Sequence, residues 1–161
     1  LFVRGEIMSS WILVLMIGLQ PSAPWADTYA TTANAIAKAA EAEPLFAGED
    51  GPARTAALLV ATGWFESRFR PDAIGDHGRS HGVFQASRVP VADVDAQVAQ
   101  ALAMMRGSFA TCHGRKAEDW LAQYASGGST CTNVGGLIAS RHRVGLAMRI
   151  FRAHPFSAGA I

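Results

Sequence analysis

The residues able to do chemistry gather between Trp64 and Gln85, in the run WFESRFRPDAIGDHGRSHGVFQ. An almost wholly apolar segment, Ala56 to Phe65, delivers one carboxylate, Glu66, at the point where helical character gives out. A carboxyl group held between an apolar helix and a polar cleft suits general acid catalysis, because partial desolvation makes the protonated form easier to keep. An ordinary surface glutamate at a helix end would look the same, and spacing alone leaves both readings open. The competing chemistries are poorly served. His77 and His81 are four apart but sit in a glycine-rich run with no helix and no intervening Glu, so a zinc-protease motif is absent and no metal site is expected. The chain has no G-x-S-x-G element, no phosphate-cradling glycine loop and no Cys–His pairing. Elimination leaves Glu66 and carboxylate chemistry on a glycosidic bond. The nearest second carboxylates, Asp72 and Asp76, are of a type and context common in turns.

These residues carry a resemblance. The run from Glu66-Ser67 through Phe69, Pro71 and Ala73, followed by glycine-rich sequence and the Gly82-Val-Phe-Gln85 ending, resembles the signature of the soluble lytic transglycosylase family. Farther along, Leu121-Ala-Gln-Tyr124-Ala-Ser-Gly127 is similar to that family's Ala-Tyr-Asn-x-Gly element, with Ala125 where the family usually has Asn. The resemblance spans about residues 55 to 151. It implies a mainly α, lysozyme-like single domain whose catalytic glutamate ends a central helix and faces a glycan groove. It implies peptidoglycan as substrate and no cofactor. Glu66 would protonate the oxygen between N-acetylmuramic acid and N-acetylglucosamine, then take a proton from the C6 hydroxyl as a 1,6-anhydro ring closes. Ser67 and Gln85 would hydrogen-bond around the reacting sugar or orient Glu66. Tyr124 would press against the sugar and hold the carboxyl, and Ser126 would partly replace the absent Asn. Two alternatives stand beside this one: a goose-type lysozyme-like hydrolase using Asp72 or Asp76 to position a water, and a non-catalytic glycan-binding protein on the same fold.

The elements that must position these residues follow from pattern. Asp27 or Thr28 caps a first alanine-rich helix to about Ala42, ending before Pro44. A second begins near Pro52, is apolar at nearly every position through Phe65, and should be the buried central helix. Gly63 in its interior points to a close backbone neighbour, and Arg70 before Pro71 ends it by Phe69. Residues 71 to 90 predict a small β-hairpin or irregular flap with β-capable patches at Ala73-Ile74 and Val83-Phe84. Asp93 opens a helix that stops at Gly107, with Met104 and Met105 both expected as core. A short helix spans about 117 to 124. The last runs from about Gly136 to Ala153, with Val144, Ala147, Met148 and Phe151 facing the core and Arg141, Arg143, Arg149 and Arg152 largely solvated.

With 161 residues, half of them apolar, the chain fits one domain. A net charge of +1 lacks the basic footprint of a nucleic-acid binder. Arg4, the apolar stretch Trp11 to Leu19 and the small-residue run to Ala26 have the order of a secretory signal. That stretch falls well short of the roughly 20 residues that span a bilayer. The expected organisation is therefore a signal peptide over 1–26 and an exported, monomeric domain over 27–161, with no stable membrane span. In an exported protein the lone pair Cys112 and Cys131 is most simply a disulfide.

Overall fold

The apolar run before Glu66 forms the helix around which the others pack. The computed structural model describes residues 2–154; the last residues of the expected domain lie outside them. Helix α1 covers Phe2–Leu19, α2 Tyr29–Ala42, α3 Gly51–Ser67, α4 Val94–Cys112, α5 Ala122–Ser126 and α6 Val134–Arg152, with short 3-10 turns at Ala26–Thr28, Asp76–Gly78 and Ala117–Asp119. Two two-residue strands, β1 Ile74–Gly75 and β2 Ser80–His81, pair antiparallel with Ile74 opposite His81 and Gly75 opposite Ser80. The architecture is mainly helical with one small hairpin after α3.

Helix α3 is central because its middle, Ala56 to Ala61, carries no polar side chain. From Ala56 to Ala61 every side chain is 2% exposed or less, and each buried Leu or Val there contributes roughly 1.5–3 kcal/mol. It packs on α6 along one side and on α2 and α1 along others. The helix stops at Arg68, which takes left-handed φ 57° and is followed by Phe69 at φ 60°. This reversal folds Phe69, fully buried, back beneath the helix, where its amide donates to Gly63 O at 3.3 Å. Gly63 is accounted for by that packing: a Cβ there would lie 3.3 Å from both the Phe69 ring and Val83. The close neighbours are thus side chains, not the backbone the sequence suggested.

Several expectations are corrected. The second strand is Ser80–His81; Val83 and Phe84 are instead buried plugs, 0% and 4% exposed. Helix α4 begins as expected, with Asp93 Oδ1 accepting from Ala96 N at 2.9 Å, but it continues through Gly107 to Cys112. Gly107 is exposed and costs about 1 kcal/mol relative to Ala. Beyond it Ser108 is buried and Phe109 packs between Phe46 and Trp120, and this tertiary packing outweighs the local cost. Met105 is fully buried, whereas Met104 is 47% exposed. The expected helix at 117–124 is split into a 3-10 turn and α5.

The core face of α6 is also rotated from the expected one. Gly136, Ser140, Arg143, Leu146, Ala147 and Ile150 are buried, while Met148 is 49% exposed. Helix α1, the stretch expected as a signal, lies against α2 and α3 with Met8, Trp11, Ile12 and Met16 in the core. Its Ser9 hydroxyl bonds Asn34 of α2. Among the described residues no helix is long and apolar enough to cross a membrane. Cys112 and Cys131 are joined in a disulfide, tying the end of α4 to the loop before α6 and closing a loop whose constraint is worth about 3 kcal/mol.

Candidate active site

A cavity of about 420 Å³ opens at the end of α3. Its lining brings together Glu66 from α3, Asp76, Ser80 and Gln85 from the hairpin region, Met104 from α4, and Tyr124, Ala125 and Ser126 from α5. Four of the five residues expected from sequence to act on substrate, Glu66, Gln85, Tyr124 and Ser126, therefore share one wall-lined space. A larger recess of about 630 Å³ lies elsewhere, beside Asn34, Lys38, Asp93 and Asp95. Its charged groups are an exposed Lys38–Asp95 pair at 3.6 Å and the exposed Asp93, whose carboxylate caps α4.

The hairpin wall is built by side chains that hold backbone. Ser67, the fifth expected residue, is not among those lining the cavity. Its hydroxyl donates to Val83 O at 2.8 Å and accepts from Arg70 N at 3.1 Å, so it ties the end of α3 to the chain after β2. Gln85 sits at left-handed φ 49° and its side-chain amide donates to Gly82 O at 3.0 Å and Ala73 O at 3.3 Å. It both closes the hairpin and lines the cavity. The two aspartates separate cleanly. Asp72 is exposed and bonded to Arg70 at 2.7 Å, which holds its carboxyl below the usual carboxylate range. Asp76 faces the cavity and accepts from Ser80 Oγ at 2.5 Å.

The α5 wall is fixed by two serines. Ser108 Oγ of α4 donates to Trp120 O at 2.7 Å and accepts from Tyr124 N at 3.1 Å. Ser140 Oγ of α6 donates to Glu118 O at 2.7 Å and accepts from Leu121 N at 3.1 Å. Between them α5 is held so close to α6 that a Cβ at Gly136 would lie 2.4 Å from Ala122 O. Only glycine admits that approach. The Tyr124 phenol is pushed up from its ordinary pKa, first by burial and second by the nearby Glu66 charge. It therefore stays neutral across the physiological range.

The residue that sequence reasoning missed is Arg143. Its Nη2 donates to Glu66 Oε1 at 2.8 Å, across 77 residues of chain, and its side chain is 9% exposed against 20% for Glu66. Among the described residues no hydrogen bond joins Tyr124 to the Glu66 carboxyl; the group on it is Arg143. A signal was present: Gly136, Ser140, Ala147 and Ile150 form a helical stripe of mostly small residues, and Arg143 falls on it. A cation on a buried stripe needs a buried anion, and the apolar helix α3 carries Glu66 alone.

No group of three or more His, Cys, Asp or Glu among the described residues is placed to hold a metal ion. His81 Nδ1 is buried without a hydrogen-bond partner there. What the arrangement can do is deliver or accept a proton at Glu66, beside neutral hydrogen-bonding groups suited to hydroxyl-rich ligands. Compared with protein-family models, curated proteins and solved structures, the chain gives no match.

Proposed function

We propose that this chain is a peptidoglycan lytic transglycosylase on a lysozyme-like fold, exported to the cell envelope or beyond it, with Glu66 as its single acid–base residue. The observation that carries the reading is the cavity itself. The glutamate of the motif faces the same space as Gln85, Tyr124 and Ser126, positions that the motif places far apart in sequence. A central helix ending at an acid, followed by a hairpin, is the arrangement such a fold requires. The disulfide is compatible with an oxidising compartment.

In this mechanism Glu66 gives its proton to the glycosidic oxygen as the bond from the muramic acid C1 breaks. The C6 hydroxyl of that same sugar then closes on C1 and returns its proton to Glu66. No water is consumed, so no second carboxylate is required. Tyr124, neutral and half-buried, offers a hydroxyl and a ring face to the sugar, and Ser126, whose hydroxyl donates to Gln123 O at 3.1 Å and accepts from Gly128 N at 3.2 Å, lines the same space beside Ala125.

The second reading, a hydrolase, is favoured by one observation: Asp76, unlike Asp72, faces the cavity with Glu66. In that case Asp76 would hold the attacking water. Mass spectrometry of soluble products from purified peptidoglycan separates the two. Anhydro ends, lost in Glu66→Gln, are expected; reducing ends would make the enzyme a hydrolase. Unchanged release by Glu66→Gln would remove Glu66 from the chemistry, and binding without any release would indicate a non-catalytic protein.

A further inference from the structure

Arg143 reaches Glu66 from the helix packed along α3, and its guanidinium is committed there. Nη2 bonds Glu66 Oε1, Nη1 donates to Ala139 O at 3.1 Å one turn back on its own helix, and the Phe65 ring lies 5.6 Å from the guanidinium carbon. Nε is buried with no partner among the described residues, and the ion pair with Glu66 is the one that Arg143 makes there. The two carboxylate oxygens are thus unequal. Oε1 is occupied, while Oε2 takes no hydrogen bond among the described residues and belongs to a side chain lining the cavity.

We propose that Arg143 is the positioning residue for Glu66: by holding Oε1 it dictates that the transferred proton rides on Oε2. This rests on the transglycosylase reading of the site. A proton on Oε1 would set hydrogen against the Arg143 N–H, so the protonated carboxyl carries its hydrogen on Oε2. In the first step the Oε2–H bond breaks, the leaving oxygen gains the proton, and the C1–O bond to the leaving sugar breaks. The negative charge then left on Glu66 is met by a desolvated guanidinium already in place, which costs no reorganisation at that moment. In the second, the C1–O6 bond forms, the O6–H bond breaks and Oε2 regains its proton. The same oxygen serves both transfers, and the cycle is proton-neutral. Arg143 touches no reacting atom; it fixes the direction from which the proton comes and goes.

The test compares Arg143→Met, Arg143→Lys and Arg143→Ala on soluble glycan chains, with Glu66→Gln alongside. Arg143→Met should lower kcat by about a hundredfold or more while KM moves by less than about threefold, since one preorganised donor is lost and no substrate contact is. Arg143→Lys should recover part of kcat, and guanidinium ion at non-denaturing concentration should raise kcat of Arg143→Ala. Guanidinium rescue and the lysine variant keep the test decisive if Arg143→Met does not fold. A kcat for folded Arg143→Met or Arg143→Ala within about threefold of the unsubstituted enzyme, or a loss confined to KM, overturns the positioning role while Glu66→Gln remains inactive. An unsubstituted enzyme that makes no soluble product, with Glu66→Gln no different, overturns the proposed function and takes the positioning role with it.

Discussion

Two arginines of helix α6, Arg141 and Arg143, each hold a buried or half-buried carboxylate, and the difference between Asp119 and Glu66 separates a carboxylate used for structure from one available for chemistry. Arg141 holds Asp119 at both oxygens, Nε to Oδ1 at 2.8 Å and Nη2 to Oδ2 at 3.3 Å, with Arg115 a further 3.9 Å away. Asp119 is nearly fully buried and faces no cavity among those described. Arg143 holds Glu66 at one oxygen only, and the Glu66 side chain lines a cavity. The saturated carboxylate is locked in its ionised form: the Arg141 hydrogen bonds hold the Asp119 carboxyl below the usual carboxylate range. The half-saturated one keeps an oxygen that takes no hydrogen bond among the described residues. The number of free oxygens, more than the presence of an arginine, distinguishes them.

Substitutions can break this comparison from either side. Glu66→Gln has the largest expected effect, a fall in turnover of about a thousandfold, corresponding to roughly 4 kcal/mol of transition-state stabilisation. The glutamine oxygen can still accept from Arg143, so steady-state kinetics beside a thermal melt should show activity lost out of proportion to stability. On the structural side, replacing Cys112 and Cys131 together by Ser should cost about 3 kcal/mol of unfolding free energy in urea titrations, with turnover largely preserved below the melting temperature. Asp119→Ala should cost about 2 kcal/mol, the loss of hydrogen bonds to a charged group, again with turnover near that of the unsubstituted protein.

The pH dependence sharpens the same contrast. Because the Asp119 carboxyl is lowered in the folded state, its stabilisation is complete above the ordinary carboxylate pKa of about 4 and is lost as pH falls through the folded value. Asp119→Asn should therefore flatten the acid side of a plot of melting temperature against pH, and an unchanged acid side would contradict this account. The smallest effect is expected at Tyr124. Its phenol is raised by burial and by the Glu66 charge, so it does not ionise in the working range. Tyr124→Phe should lower kcat/KM by about tenfold, the value of one hydroxyl contact, without moving the alkaline limb of the rate profile.

Much of the frame was legible in the sequence because its signals are local. The breaks that end α2 and α3 and the Asp93 cap of α4 lie within a few residues of the elements they delimit, whereas the cap expected from Asp27 or Thr28 is not made, α2 beginning at Tyr29 with no side-chain bond from Thr28; the paired cysteines needed only a compartment argument. Arg143 was hidden because its partner is 77 residues away and its neighbours Arg141, Arg149 and Arg152 gave the helix the look of a solvated charged face. Gly107 looked like a stop because propensity carries no knowledge of Phe109 packing beyond it. Ser67 and Gln85 were both expected at the sugar. Only a three-dimensional hairpin separates a hydroxyl used on Val83 O from an amide that also faces the cavity.

The central claim is that Glu66, half-held by Arg143, cleaves a glycosidic bond with the substrate's own hydroxyl as nucleophile. Digestion of purified peptidoglycan in heavy-oxygen water, followed by mass spectrometry of the released muropeptides, tests it most directly. The account predicts anhydro products that carry no solvent oxygen at the new end and that vanish with Glu66→Gln. Heavy oxygen at the newly formed muramic acid end would contradict it and place a water, held by Asp76, in the role assigned to the C6 hydroxyl.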